Sequence, residues 1–382
     1  MHVLIYSVAP WLRTGYGKTV QLLMENIPDG DIQIDIAAYF GIQGTALTVG
    51  ESRVIPIYGM LDSGSPQYLA YIEKEIRPDV ILQHFDVWIL PENWIASLSA
   101  PVITYSPIDC IPIPLRTKNS ARGAAMNVAM SRFAEDNYKS IGAPTTYIPH
   151  TFDPSIFYQL DKKEAKAALG IEEDKFIYGL VGTNKSTRKN IHGQLMAYAD
   201  LIKYDKEIRR NSIFYLHTYI VGNEYNNEGV DLWALIEQLG IQDNIRYTEQ
   251  NAYLKGLSDK EMQYFYSAFD VLMSCSYGEG FCIPLIEAGA CGTPAIVTDF
   301  SAMPEVIGTG GITVPVGEYI YLSRTNAYHA IPRTDHITDA MGVIYHDTEF
   351  RRSLSEAAMA NAEQYTLAKV IPQWRSLLSR LT

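Results

Sequence analysis

The chain has 382 residues, 47% of them hydrophobic and 19% charged, which is apolar material for about two ordinary domains and excludes wholesale disorder. Its 31 Lys and Arg against 43 Asp and Glu leave a formal charge of −12, and neither half is basic, which argues against a nucleic-acid partner or broad binding to anionic lipid. Four cysteines without a Cys-x-x-Cys pair, and an N-terminal stretch with no basic region and only a short apolar run, point to reduced thiols and a cytoplasmic location.

Short apolar runs alternate with helical periodicity along almost the whole chain, the pattern of βαβ units and parallel sheets, so the fold class is α/β. The spacing predicts strands of a first sheet at 2–7, 33–40, 79–85, 101–106, 123–131 and 145–149, with helices at 17–27, 66–76 and 132–140. Residues 147–175 interrupt the rhythm with Pro149, Pro154 and a charged helical stretch, and read as a linker. A second series follows, with strands at 175–182, 212–222, 244–248, 270–276, 293–298 and 311–316, and helices near 189–205, 230–239, 258–267 and 283–290. The tail at 348–382 reads as helices broken at Pro372, with no strand candidate.

Three stretches carry chemistry. RTGYGKT (13–19) lies at a strand-to-helix turn, where backbone N–H groups can meet a phosphate. It fits neither a P-loop nor a G-x-G-x-x-G fingerprint, and Gly15 and Gly17 leave both ligand contact and an ordinary tight turn open. GTNKSTRKN (182–190) gathers Lys185, Arg188 and Lys189 before a helix, which suits a diphosphate clamp as well as a solvated basic turn. SYGEGFCIPLIEAGACGTPAIVTD (276–299) is the most informative, with Glu279 in a Gly-flanked turn and Glu287 eight residues on, past the helix start at Pro284. Two ordinary surface acids would not need such Gly density on both sides.

That last run resembles the E-x7-E signature of the GT-B fold retaining glycosyltransferases of family 4, the glycosyl transferases group 1. PHTFDPSIF (149–157), RKN (188–190), TGYG (14–17) and PDVILQH (78–84) resemble further family motifs in the same order. The resemblance implies two Rossmann-like domains facing each other across a cleft. These are an acceptor domain at 1–155, a donor domain at 156–365, and a C-terminal helix at 366–382 crossing back onto the first. It implies transfer of a sugar, a hexose first of all, from a nucleotide-diphospho-sugar to an acceptor hydroxyl, without a further cofactor and without a metal, since two protein cations replace Mg²⁺. Carried over residue by residue, Glu287 holds the ribose hydroxyls, Arg188 and Lys189 the diphosphate with the Gly15 backbone beside it, and Glu279 with the N–H groups of Phe281 and Cys282 surrounds the transferred sugar. Cys282 stands where the family usually has glycine, and Gly182-Thr183-Asn184 replaces its frequent G-R-L.

After the strand at 101–106, Asp109 is open to two roles, a contact with donor or acceptor hydroxyls and a turn residue before Pro112. His84 is a further site candidate, while His150 reads as a structural hydrogen-bonding group. The acceptor is left open between a glycan, a lipid-linked sugar and a small molecule, as is the oligomeric state. Arg116, Lys118 and Arg122 would serve a local peripheral membrane contact. The rival readings are an inactive nucleotide-sugar-binding protein and a GT-B-like epimerase or phosphorylase.

Overall fold

The computed structural model describes residues 1–58, 66–185, 188–221 and 229–380. Residues 59–65, two positions of the basic turn (186–187) and the end of the expected 212–222 strand lie outside them. Two compact α/β units result, one of Met1–Thr151, Ser323–Ala327 and Thr366–Thr382, the other of Phe152–Leu322 and Tyr328–Tyr365.

The first unit is built on eight strands: β1 (His2–Ser7), β2 (Gln33–Ala38), β3 (Leu47–Val49), β4 (Ser52–Pro56), β5 (Val80–Gln83), β6 (Val102–Thr104), β7 (Met126–Ala129) and β8 (Thr145–Tyr147). Their order is β3-β4-β2-β1-β5-β6-β7-β8, and every neighbouring pair is parallel except β3–β4. Val3, Leu4, Ile5 and Tyr6 of the central strand are all buried, as a parallel strand covered on both faces requires. β3 and β4 were not expected from the sequence. β3 is a short exposed edge strand and β4, next to it, alternates buried with more exposed positions, so no continuous apolar run marks them. β4 is held to β2 by Arg53, whose backbone N–H donates to Asp35 at 2.7 Å and whose guanidinium reaches the same carboxylate at 2.6 Å.

Helix α1 (Gly15–Asn26) starts at the carboxyl end of β1. Thr14 caps it, its hydroxyl accepting from the Gly17 N–H at 3.1 Å. A Cβ on Gly17 would lie 2.2 Å from the Leu12 carbonyl oxygen. Gly17 is therefore required by local chain crossing, and its N–H serves the cap.

The C-terminal helix Leu367–Leu378 belongs to this first unit. Trp374 buries its ring edge-on against Tyr105 at 5.0 Å, and Arg375 donates to the carbonyls of Asn26 and Ile27 at the end of α1 at 2.9 and 3.1 Å. The break expected at Pro372 falls instead at Glu363–Thr366. Pro372 forfeits one helical hydrogen bond, which the burial of Val370, Ile371, Trp374, Leu377 and Leu378 offsets.

The second unit carries β9 (Phe176–Val181), β10 (Ser212–His217), β11 (Ile245–Tyr247), β12 (Val271–Ser274), β13 (Ala295–Thr298) and β14 (Gly311–Val314), all parallel, in the order β11-β10-β9-β12-β13-β14. Renumbered from one, this is 3-2-1-4-5-6, the Rossmann order. The chain leaves β9 and β12 in opposite directions, so a crevice opens at their carboxyl ends. A separate hairpin, β15 (Val316–Leu322) and β16 (Ala327–Pro332), follows β14 and was not expected, because exposed tyrosines interrupt the apolar pattern there. Among the described residues no helix is long and apolar enough to cross a membrane.

Trp374→Ala should lower stability by about 3–5 kcal/mol, the usual cost of truncating an enclosed aromatic ring. Urea titration followed by circular dichroism checks it; a change below about 1 kcal/mol would mean that the C-terminal helix contributes little to the first unit.

Candidate active site

At the carboxyl ends of β9 and β12, two loops bring opposite charges together. Glu279 is buried, yet both of its oxygens are engaged: Arg188 donates to Oε2 at 2.6 Å and Lys189 Nζ to Oε1 at 2.7 Å. Burial alone would raise this carboxyl, but the two cations outweigh it and pull the pKa down to about 2. Two cations around one carboxylate leave a net charge of +1 in these three groups, which suits an anion. The Arg188 side chain keeps 32% of its surface exposed, so it is only partly enclosed.

Neighbouring side chains hold the two loops in register. Tyr277 donates its N–H to the Arg188 carbonyl at 2.7 Å, and the Asn190 amide donates to the Cys275 carbonyl at 3.1 Å. Gln194, on α2 (Ile191–Tyr204), accepts from the Cys275 N–H and donates to the carbonyls of Lys189 and Asn190. Asn190 has φ of +47°, which its short polar side chain tolerates, and a Cβ on Gly193 would strike that amide at 2.3 Å. The Glu279 N–H donates to the Ser301 hydroxyl at 2.9 Å, which fixes the Gly-flanked turn from the far side. Asn190, Gln194 and Ser301 escaped the sequence reading because they act mainly through backbone groups of distant segments. The order Arg-Lys-Asn before a helix was the one signal that could have pointed to the first of them.

Helix α4 (Ile283–Ala290) begins directly after this turn, with α3 (Asp259–Ala268) packed alongside. Phe281 is enclosed against Tyr365, their ring centres 5.5 Å apart. Cys282 takes φ of +77°, where glycine would be unstrained, and its thiol lies 3.4 Å from the Ser274 hydroxyl. Burial first, then the Glu279 charge, push that thiol up to about 11. Glu287 is buried on α4 and accepts a hydrogen bond from the Tyr266 hydroxyl of α3. The structure thus gathers Glu279, Arg188, Lys189 and Cys282 in one cluster and seats Glu287 on the helix that follows.

The remaining candidates lie in the first unit. Gly15 opens α1 at the carboxyl end of β1, the switch point of that sheet, since β1 lies between β2 and β5. His84 follows β5 at the same edge, but its ring is fully enclosed, stacked on Tyr105 at 4.7 Å with Nδ1 bonded to the Tyr105 carbonyl at 2.8 Å. Burial lowers its pKa to about 4, so it is neutral at pH 7. His150 is enclosed beside it and pairs with the Thr19 hydroxyl at 3.1 Å, in keeping with a structural role. Asp109 is half-buried and accepts from the Cys110 thiol. Arg116 and Arg122 are exposed on the helix Leu115–Gly123 with Lys118 between them. An Asp-x-Asp triplet, Asp29-Gly30-Asp31, lies before β2 at the amino edge of the first sheet, at the opposite end of the strands from Gly15 and His84.

Two Rossmann-like α/β units, one of them ending in a cationic cluster at its switch point, define a protein of the GT-B type. The chain belongs to the glycosyl transferases group 1 family, whose sequence profile matches residues 161–360. It is similar to O-antigen chain mannosyltransferase B of Escherichia coli, 26% identical over 189 residues covering 50% of this chain and 42% of that protein. It is also similar to D-inositol 3-phosphate glycosyltransferase of Stackebrandtia nassauensis, 28% identical over 179 residues, 46% of this chain and 38% of that protein. The matched segments thus span well under half the length of these relatives. Among solved structures, sucrose-phosphate synthase from Thermosynechococcus elongatus superposes with a TM-score of 0.80 at 15% identity, covering 100% of this chain and 98% of that one. Anabaena HepE in complex with UDP-glucose gives 0.71 at 14% identity with both chains fully covered. These likenesses share the fold.

Glu279→Gln should flatten the acid limb of the stability curve. With a folded pKa near 2 and an unfolded one of about 4.3, Glu279 stabilises the fold fully above the unfolded value and loses that contribution as pH falls toward 2. The variant, with two partly buried cations lacking their counter-charge, should cost about 1–3 kcal/mol at pH 7 and vary less between pH 4 and 2. Denaturant titrations at several pH values check both; identical curves would remove the ion cluster from the stability of this unit.

Proposed function

We propose that the chain is a retaining glycosyltransferase that moves a hexose from a nucleotide-diphospho-sugar to an acceptor hydroxyl. The observation that carries this reading is the Glu279–Arg188–Lys189 cluster at the switch point of a 3-2-1-4-5-6 sheet. Membership of the group 1 family supports it, as does the fold shared with a protein solved in complex with UDP-glucose.

In this reading Glu279 preorients both cations before the donor arrives. The diphosphate is held by the partly exposed Arg188 together with Lys189, and Glu279 keeps its own ion pairs while accepting from sugar hydroxyls. As the glycosidic bond breaks, the departing phosphate gains negative charge, and fixed cations in a poorly hydrated site stabilise it most at that moment. Glu287, oriented by Tyr266, accepts from the ribose hydroxyls. The departing phosphate oxygen itself takes the acceptor's proton on the front face, which retains the anomeric configuration. Two protein cations at the diphosphate make a divalent ion unnecessary. In the first unit Gly15 and Asp109 serve as donor or acceptor contacts, and His84, whose ring is enclosed, acts as a positioning residue.

Arg188→Ala and Lys189→Ala should each lower turnover at least tenfold, and more than they weaken nucleotide binding, while EDTA leaves the wild type fully active. Donor-consumption assays over a panel of nucleotide sugars measure this; strict dependence on a divalent ion would defeat the metal-free mechanism.

An α-linked donor should give an α-linked product. Proton NMR of the purified product reads the anomeric coupling, and a β linkage would overturn the front-face route even with every binding assignment intact.

A further inference from the structure

The β15–β16 hairpin stands outside the six-stranded sheet, and the donor-site reading assigns it no task. It exposes three tyrosines, Tyr319, Tyr321 and Tyr328, at 53%, 54% and 46% of their surface. Exposed aromatics scattered singly need no explanation, but these form a strip. Tyr319 and Tyr321 are two residues apart on one strand, hence on one face and about 7 Å from each other. Tyr328 on the second strand meets Tyr321 edge-on, ring centres 5.2 Å apart, and Tyr319 meets Phe300 in the same manner at 5.8 Å.

Both strands are rooted in the candidate site. The Ala330 N–H donates to the Tyr277 carbonyl at 2.9 Å, two residues before Glu279. Phe300 precedes Ser301, whose hydroxyl accepts the Glu279 N–H. The strip therefore runs outward, without a gap, from the turn that holds Glu279.

We infer that the hairpin is a carbohydrate platform on which a glycan acceptor lies beside the site, a proposal that rests on the donor-site reading for its role and not for its chemistry. A tyrosine presents an apolar ring face and a hydroxyl at its edge, and a pyranose presents a C–H face and a rim of hydroxyls, so each ring matches one sugar unit. The spacing of Tyr319 and Tyr321 is of the order of one sugar repeat. A membrane surface fits less well: the two strands carry Glu318 and no Lys or Arg, the hairpin's basic residues are Arg324 in the turn and Arg333 just past β16, paired with Asp335, and the chain's net charge is −12.

The test uses the full chain with mannotetraose, maltotetraose and cellotetraose as probes, read by saturation-transfer NMR, and UDP and GDP by calorimetry. At least one tetrasaccharide should bind saturably, and the double variant Tyr319→Ala, Tyr321→Ala should weaken it tenfold or more while nucleotide affinity stays within twofold. The variant Tyr319→Trp, Tyr321→Trp, which keeps the stacking surface, should retain the sugar. No saturable binding of any tetrasaccharide, or binding indifferent to the alanine pair in a folded variant, overturns the platform. Tyrosine-dependent binding to phosphatidylglycerol vesicles in place of the sugars overturns it in favour of a membrane contact. Tyrosine-dependent sugar binding by a protein that takes neither nucleotide would leave the platform standing and remove the donor-site reading.

Discussion

A carboxylate as enclosed as Glu279 stays ionised only if positive charge meets it at hydrogen-bonding distance, and Arg188 and Lys189 do so. Those cations come from the loop after β9, the acid from the loop after β12. The cluster can form only if the two strands are neighbours and their loops are locked together. The Rossmann order supplies the first condition, and the Asn190, Gln194 and Tyr277 hydrogen bonds supply the second. These three groups sum to one positive charge, so the requirement of burial and the anion site proposed above have one origin.

The opposite end of the same strand pair repeats the device. Asp270, immediately before β12, accepts from Lys162 at 2.9 Å and from the Ile177 N–H at the start of β9 at 2.9 Å, with Lys166 3.4 Å away. Burial would raise this carboxyl too, and the two lysines hold it below its usual range. Between these clamps β9 and β12 pair directly over only Val271–Tyr178 and Leu272–Gly179. Gly179 is needed there because a Cβ would enter the Phe269 ring at 2.1 Å. A short ladder secured at both ends by ion clusters centred on buried carboxylates leaves the site loops little freedom, which suits a site whose electrostatics must be fixed before a ligand arrives.

The central strands were legible because burial on both faces demands unbroken apolar runs, as in HVLIYS and KFIYGLVG. The outer strands β3 and β4 and the tyrosine hairpin were not, because half-exposed strands mix polar and apolar residues without a decisive run. The acids and cations of the site were legible as residues, through Gly density and charge beside helix starts. Their pairing was not, since ninety positions separate Lys189 from Glu279 in sequence. Gly17 was left open between a ligand's approach and a tight turn, and a backbone carbonyl occupies the space that a Cβ there would need. Pro372 misled, since local propensity predicted a break that the burial of one helix face overrides.

The central claim is that the excess charge of the Glu279 cluster receives a nucleoside diphosphate. A crystal structure of the chain soaked with UDP or GDP tests it most directly. The account predicts a phosphate oxygen within hydrogen-bonding distance of both Arg188 and Lys189, with Glu279 still paired to them. A diphosphate bound away from these two side chains would contradict it.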